Sequence, residues 1–235
     1  QPAARAASAA KLIAQPLAAT HPHLMADGET TPGVSSAEYA ARREEFASLL
    51  PHGALALFSS AAVGYMSHDV AQPFFQDADL FYLSGFQEQS SLLACVKPRS
   101  EGSAARWHLF VRPSCAAEEL WDGARAGVDG AQEHIIADGA AHSVADAASA
   151  LRAEVEGGAV GALLWDGGGH QHDAQLESQL EPLLKACAGA GIARASPRRL
   201  LHSLRVRKSV AERALLRRSG ELCAGAFRQV RVTAM

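Results

Sequence analysis

The sequence predicts an α/β fold: a mixed β-sheet flanked by helices, followed by linker helices. Three observations predict it. Short apolar runs bounded by Gly, Pro or Ser read as buried strands. Between them lie segments with apolar residues at helical spacing, opened by Ser-x-x-Glu or Ser-x-x-Asp starts. The two kinds of segment alternate, as they do where helices pack on a sheet. At 235 residues the chain is one domain, or one domain plus a substantial appendage.

Residues 1–34 read as an extended arm. From Gln1 to Ala26 there is no Asp or Glu, only Arg5 and Lys11, and Pro16, Pro22, Gly28, Pro32 and Gly33 follow. This acid-poor stretch reads either as the tail of an organellar targeting segment or as a linker. Residues 35–195 make the α/β domain. Ser35 and Glu38 open a helix with Tyr39, Phe46, Leu49 and Leu50 on one face, stopped by Pro51-His52-Gly53. Ala54–Phe58 is a buried strand, and Phe81–Leu83, Leu92–Val96 and Trp107–Val111 are further strands. Lys97–Gly102 is the hairpin turn joining the last two. Glu118–Trp121 is a helical turn ended by Asp122-Gly123. Ser143–Asp146 opens a helix carrying Val144, Ala148, Leu151 and Val155, and Val160–Trp165 is another buried strand. Leu176–Cys187 is a helix with a kink or break expected at Pro182. Residues 196–235 are helical linker and the start of a second domain. Pro197 sits at a first helical position, and Ser209–Glu212 caps a final helix with Ala211, Leu215, Leu222, Ala226 and Val230 on one side.

Composition excludes several classes. Hydrophobic residues make up 48% and charged residues 20%, an ordinary globular balance, with a net charge of −3 and a pI of about 6.4. No apolar run reaches the length of about 20 residues that a membrane helix needs. Half of the 22 basic residues lie in Arg194–Met235. Such a tail can meet nucleic acid, but with Phe227 as its one aromatic it has little to stack bases on. A solvated or partner-facing helix is the better reading, and no nucleic-acid or membrane partner is expected. Cys95, Cys115, Cys187 and Cys223 form no C-x-x-C pair, which points to a reducing compartment without zinc-ribbon chemistry.

Familiar catalytic signatures are missing. There is no G-x-S-x-G, no Walker lysine loop and no H-E-x-x-H. Gly167–Gly169 reads as a plain turn, His170, His172 and Asp173 as a solvated loop, and His21 and His23 as part of the arm. His68-Asp69 has the types for acid–base work but no placeable partner. The densest cluster is Gln72–Phe86. Within it, Asp77 and Asp79 are expected to cap backbone N–H groups at a strand entrance, Phe81, Tyr82 and Phe86 concentrate aromatic surface, and Gly85 permits a tight exit.

That cluster carries a resemblance. Gln76–Phe86 (QDADLFYLSGF) resembles the hallmark of the N-terminal domain of Xaa-Pro aminopeptidases (aminopeptidase P). Three further segments agree in order. Leu109–Pro113 with Glu119-Leu120-Trp121-Asp122-Gly123 and Gly127-Val128 resembles the family's next strand and its Trp-Asp/Glu-Gly motif. Leu201–Arg218 resembles the joining segment in which Arg-x-x-Lys-Ser-x-x-Glu recurs. Thr20–Val34 resembles the mitochondrial branch, the intermediate-cleaving peptidases. The resemblance spans Thr20 to Phe227, and Phe75 departs from it where relatives usually carry Arg.

The resemblance implies a creatinase/aminopeptidase P N-terminal-like domain truncated before the catalytic pita-bread domain. The parent would be a manganese-dependent metalloaminopeptidase that removes N-terminal residues ahead of proline or trims mitochondrial precursors. Its two manganese ions and their carboxylate and histidine ligands would lie beyond Met235, so this chain binds none and is expected to be inactive alone. Asp77, Asp79, Phe81, Tyr82, Gly85, Phe86, Trp121, Asp122 and Gly123 are the motif and interface residues. Phe81 and Tyr82 are the expected exposed contacts to the catalytic domain or an oligomer partner. The compartment implied is mitochondrial, otherwise cytoplasmic. The alternative is a non-catalytic interaction module that binds or regulates a full-length paralogue.

Overall fold

A computed structural model gives the architecture, and it describes residues 13–167 and 173–233. Gly168, Gly169, His170 and His172 therefore lie outside the described residues, as does the start of the arm. Two short strands, β1 (Glu29–Thr31) and β2 (Val34–Ser35), form a hairpin. Six more make the central sheet: β3 (Ala54–Ser59), β4 (Leu92–Lys97), β5 (Arg106–Val111), β6 (Ala140–Ser143), β7 (Ala162–Leu164) and β8 (Arg194–Ala195). Their order is β6-β5-β4-β3-β7-β8. β4 runs antiparallel to both its neighbours, β3 and β5, while β6 joins β5, β7 joins β3, and β8 joins β7 in parallel. The sheet is mixed, as the sequence predicts.

Both faces of the sheet are covered, which explains why its central strands read as unbroken apolar runs. Successive side chains point to opposite faces. On one side Phe58, Leu93, Cys95, Trp107 and Leu109 meet α1 (Ser36–Leu49), α2 (Ala78–Ser84), α4 (Gly127–His134) and α7 (Arg198–Arg205) through Phe46, Leu80, Leu83, Ala131 and Leu201. On the other side Leu55, Leu57, Ala94, Val96 and Phe110 meet α5 (Ala147–Glu156) and α6 (Ala174–Gly189) through Leu151, Val155, Leu176, Leu180 and Leu183. Each fully buried Leu or Phe contributes about 1.5–3 kcal/mol. α3 (Ala116–Asp122) buries no residue, and α8 (Val210–Thr233) ends the described chain. Among the described residues no helix is long and apolar enough to cross a membrane.

The caps read from sequence are present. Ser35 Oγ accepts from the Glu38 N–H at 3.2 Å. Ser209 and Glu212 complete a reciprocal box, with Glu212 N–H donating to Ser209 Oγ at 3.1 Å and Ser209 N–H to Glu212 Oε2 at 2.8 Å. Ser143 opens a 3₁₀ turn that leads into α5.

Two expectations are corrected. Phe81–Leu83 is not a strand but the middle of α2. Asp77 accepts from the N–H groups of Asp79 and Leu80, so it caps a helix where a strand entrance was expected. Leu80, Leu83 and Ser84 then bury one helical face, and this tertiary burial overrides the strand preference of consecutive aromatics. At Pro182 the helix does not break: α6 runs through it, held to the core by Leu180 and Leu183.

The described part of the arm is docked on the domain. Ile13, Leu17 and Met25 are buried. The Gln15 amide donates to the carbonyls of Thr30 and Gly85, and its oxygen accepts from Gln87 N–H at 3.1 Å.

Candidate interaction surface

The sequence-predicted residues separate into two places. The first is the aromatic cluster on α2. Asp77 caps that helix, and Asp79 in its first turn forms an ion pair with Arg205 at the end of α7. Gly85 ends it with φ +70°, a left-handed conformation that glycine adopts without strain. Phe86 is fully buried and belongs to the core, so it offers no surface. Phe81 and Tyr82 are half-buried where exposure was expected. The Tyr82 ring is covered by the Arg42 guanidinium at 4.4 Å, and Arg205 lies 5.9 Å away. Cation and ring attract in that arrangement. The aromatic cluster therefore faces largely inward, toward α1 and α7.

The second place is α3. Trp121 is 86% exposed and Leu120 78%. Asp122 is exposed, and Gly123 ends the helix at φ +89°. A short helix with its largest apolar residues in water needs anchoring from beneath, and Arg125 supplies it. The Arg125 side chain is 4% exposed and pairs with Glu118 at 2.6 Å and Asp122 at 3.2 Å. Glu119 adds a cap, its Oε1 accepting from Cys115 N–H at 2.9 Å. Below lies Glu88, 3% exposed, whose Oε1 accepts from Ala126 N–H at 2.7 Å. Burial pushes the Glu88 carboxyl above its ordinary range, with nearby Arg112 and Arg125 opposing the shift. Sequence reasoning missed Glu88, Arg112 and Arg125. Their separation along the chain conceals that they share one buried site, and charged residues default to the surface in such a reading.

A looser apolar patch lies on the segment from Ala61 to Gln76. Tyr65, Met66, Val70 and Phe75 are exposed there, and Tyr65 bridges Ala71. Phe75, the position that departs from the resemblance, points no charge at any neighbour. In the same segment Asp69 accepts from Ser67 Oγ at 3.1 Å, which engages the carboxylate expected beside His68. Asp173 caps α6 and accepts from Ser90 Oγ at 3.0 Å, which gives it a structural role in place of a solvated one.

Burial pushes the Cys95 thiol up to about 12, far from a reactive thiolate. Among the described residues no group of three or more His, Cys, Asp or Glu side chains is placed to hold a metal ion. The manganese pair implied by the resemblance does not fit this set, and no catalytic step is assigned through it.

Comparison with known proteins places this geometry. Residues 39–161 match the family described as "Aminopeptidase P, N-terminal domain". The chain is 34% identical over 231 residues to Xaa-Pro aminopeptidase 3 of Rattus norvegicus, covering 92% of this chain and 44% of that protein. It is 41% identical over 126 residues to the mitochondrial intermediate cleaving peptidase 55 of Arabidopsis thaliana, covering 54% of this chain and 24% of that protein. The crystal structure of Icp55 from Saccharomyces cerevisiae superposes with a TM-score of 0.68 and 28% identity, covering 83% of this chain and 42% of that one. The chain thus spans less than half the length of each of these relatives. The match extends over more than half of the chain, and this protein belongs to the aminopeptidase P N-terminal domain family.

Proposed function

We propose that this chain serves as the non-catalytic N-terminal domain of a manganese-dependent metalloaminopeptidase. The enzyme would remove N-terminal residues, ahead of proline or from mitochondrial precursors, and would act in mitochondria. α3 would be the contact to the catalytic domain or to an oligomer partner. The family match supports the first part, and the name of the Arabidopsis relative supports the compartment. One observation carries the contact: α3 has no buried residue in this chain yet is tied down by buried Arg125, with Leu120 and Trp121 exposed. A large exposed aromatic on an anchored helix is the usual anchor of an interface.

The test is enzymatic. The purified chain with Mn²⁺ and an Xaa-Pro peptide should release no N-terminal residue. A longer form of the protein, carrying the region that relatives have beyond the match, should release it and lose the activity in chelator. Turnover by the chain alone would overturn the non-catalytic reading. A longer form that ignores chelator would overturn the metal.

A further inference from the structure

We propose that the turn between α7 and α8 is a locked elbow, built by Asp79, Tyr82, Glu38 and Arg42 on one side and Arg205, Ser209 and Glu212 on the other, which fixes the direction in which α8 leaves the domain. The juxtaposition joins two segments that are remote in sequence. Arg205 pairs with Asp79 across 126 positions, and Ser209 Oγ donates to Glu38 Oε1 at 2.7 Å across 171.

The contacts interlock. Glu38 also pairs with Arg42 one turn further along α1. Arg42 donates to the Tyr82 carbonyl at 3.1 Å, covers the Tyr82 ring, and reaches Glu212 at 3.8 Å. Glu212 in turn closes the capping box on Ser209, so the first turn of α8 is bonded both to itself and to α1. Lys208 donates to the Arg205 carbonyl and closes the end of α7. A steric stop adds to these bonds. A Cβ on Gly33 would meet Leu215 Cδ2 at 2.8 Å, so the second turn of α8 rests directly on the β1–β2 turn. Beyond Leu215 the apolar side chains Leu216, Leu222, Phe227 and Val230 are exposed. α8 is thus held at its base and presents its length to solvent.

This arrangement gives Asp79 and Tyr82 a role inside the chain. In this elbow the partly buried charges of Glu38, Arg42, Asp79, Arg205 and Glu212 are assigned to fixing geometry. Each residue of the elbow is a positioning residue. It orients whatever continues from α8, and that consequence rests on the proposed function, while the elbow itself does not.

Spin-label distance measurement tests it on the chain itself. Cys223 is exposed on α8 and takes one label; Ala150→Cys on α5 takes the other, with Cys115 replaced by Ser and Cys95 and Cys187 buried. The unmodified elbow should give one narrow distance distribution. Arg205→Met combined with Glu38→Gln should widen it at least twofold with the helical content retained. The charge exchange Asp79→Arg with Arg205→Asp should recover much of the narrow width. An unchanged width in Arg205→Met/Glu38→Gln would overturn the elbow, as would a starting distribution already as broad as that of the variant. Peptidase activity plays no part in the readout, so failure here is distinct from failure of the proposed function.

Discussion

At the residue scale, His108 shows how a side chain on a strand acquires a pH dependence from its neighbours. Its Nδ1 lies 3.0 Å from His142 Nε2, and Phe110 stacks beside it. Burial chiefly, then His142 and Arg106, hold its imidazole below the ordinary 6.5, while Glu154 opposes them. A base with a depressed folded-state value binds fewer protons folded than unfolded, so stability is present above about 6.5 and falls as pH drops through it. Urea unfolding between pH 7 and 5 should therefore show a larger loss for the native chain than for His108→Phe. An NMR titration that puts His108 at or above 6.5 would contradict this. Residue-scale roles were partly legible. Ser35, Ser209 and Glu212 act as caps because capping is local and written in spacing of three. Glu88 and Arg125 were not legible, since nothing local separates a buried charged side chain from a surface one. Asp77 was read as a cap, and the error lay in the element it caps.

At the scale of elements, α2 carries the most information per residue. It is seven residues long, entered by Asp77 and left by Gly85. A Cβ on Gly85 would lie 2.8 Å from Tyr39 Cζ, and Tyr39 is buried with its hydroxyl bonded to Thr31 at 2.8 Å. Gly85→Ala would meet both a left-handed backbone and that ring. The backbone alone costs about 1–2 kcal/mol, so chemical denaturation should show a loss larger than that. A loss under about 1 kcal/mol would contradict both the backbone cost and the clash with the ring. Strands β3, β4 and β5 were legible because burial on both faces leaves an uninterrupted apolar run. Strands β6 (Ala140–Ser143) and β8 (Arg194–Ala195) were not. They lie at the sheet's edges, and they pair through their backbones with side chains that carry no strand signal. α2 was misread because Phe81 and Tyr82 favour strands locally while Leu80 and Leu83, three apart, decide the outcome by burial.

At the scale of the molecule, the three tryptophans report on coverage separately. Trp107 and Trp165 are buried, one on each face of the sheet, and Trp121 is in water. Acrylamide should quench one emission component in the chain, and Trp121→Phe should remove it. In a longer form of the protein that component should become protected if α3 is an interface. A Trp121 equally quenched there would exclude it. The fold class was legible as a whole because it follows from alternation of elements, and the family followed from four motifs in order. The direction of the candidate surface was not, because exposure depends on the whole packing arrangement: Phe86 and Trp121 look equally suited to an interface as letters, yet one sits in the core and the other in water.

The Gln15 amide reaches across the fold to Thr30, Gly85 and Gln87, and Ile13 and Leu17 on either side of it are core residues. A peptidase trimming this protein from its front therefore meets a physical limit. Loss of the chain through Gln15 would open the seat of the α2 exit and strip the apolar contacts of Ile13 from the core. Trimming as far as Gln15 costs the domain part of its own packing.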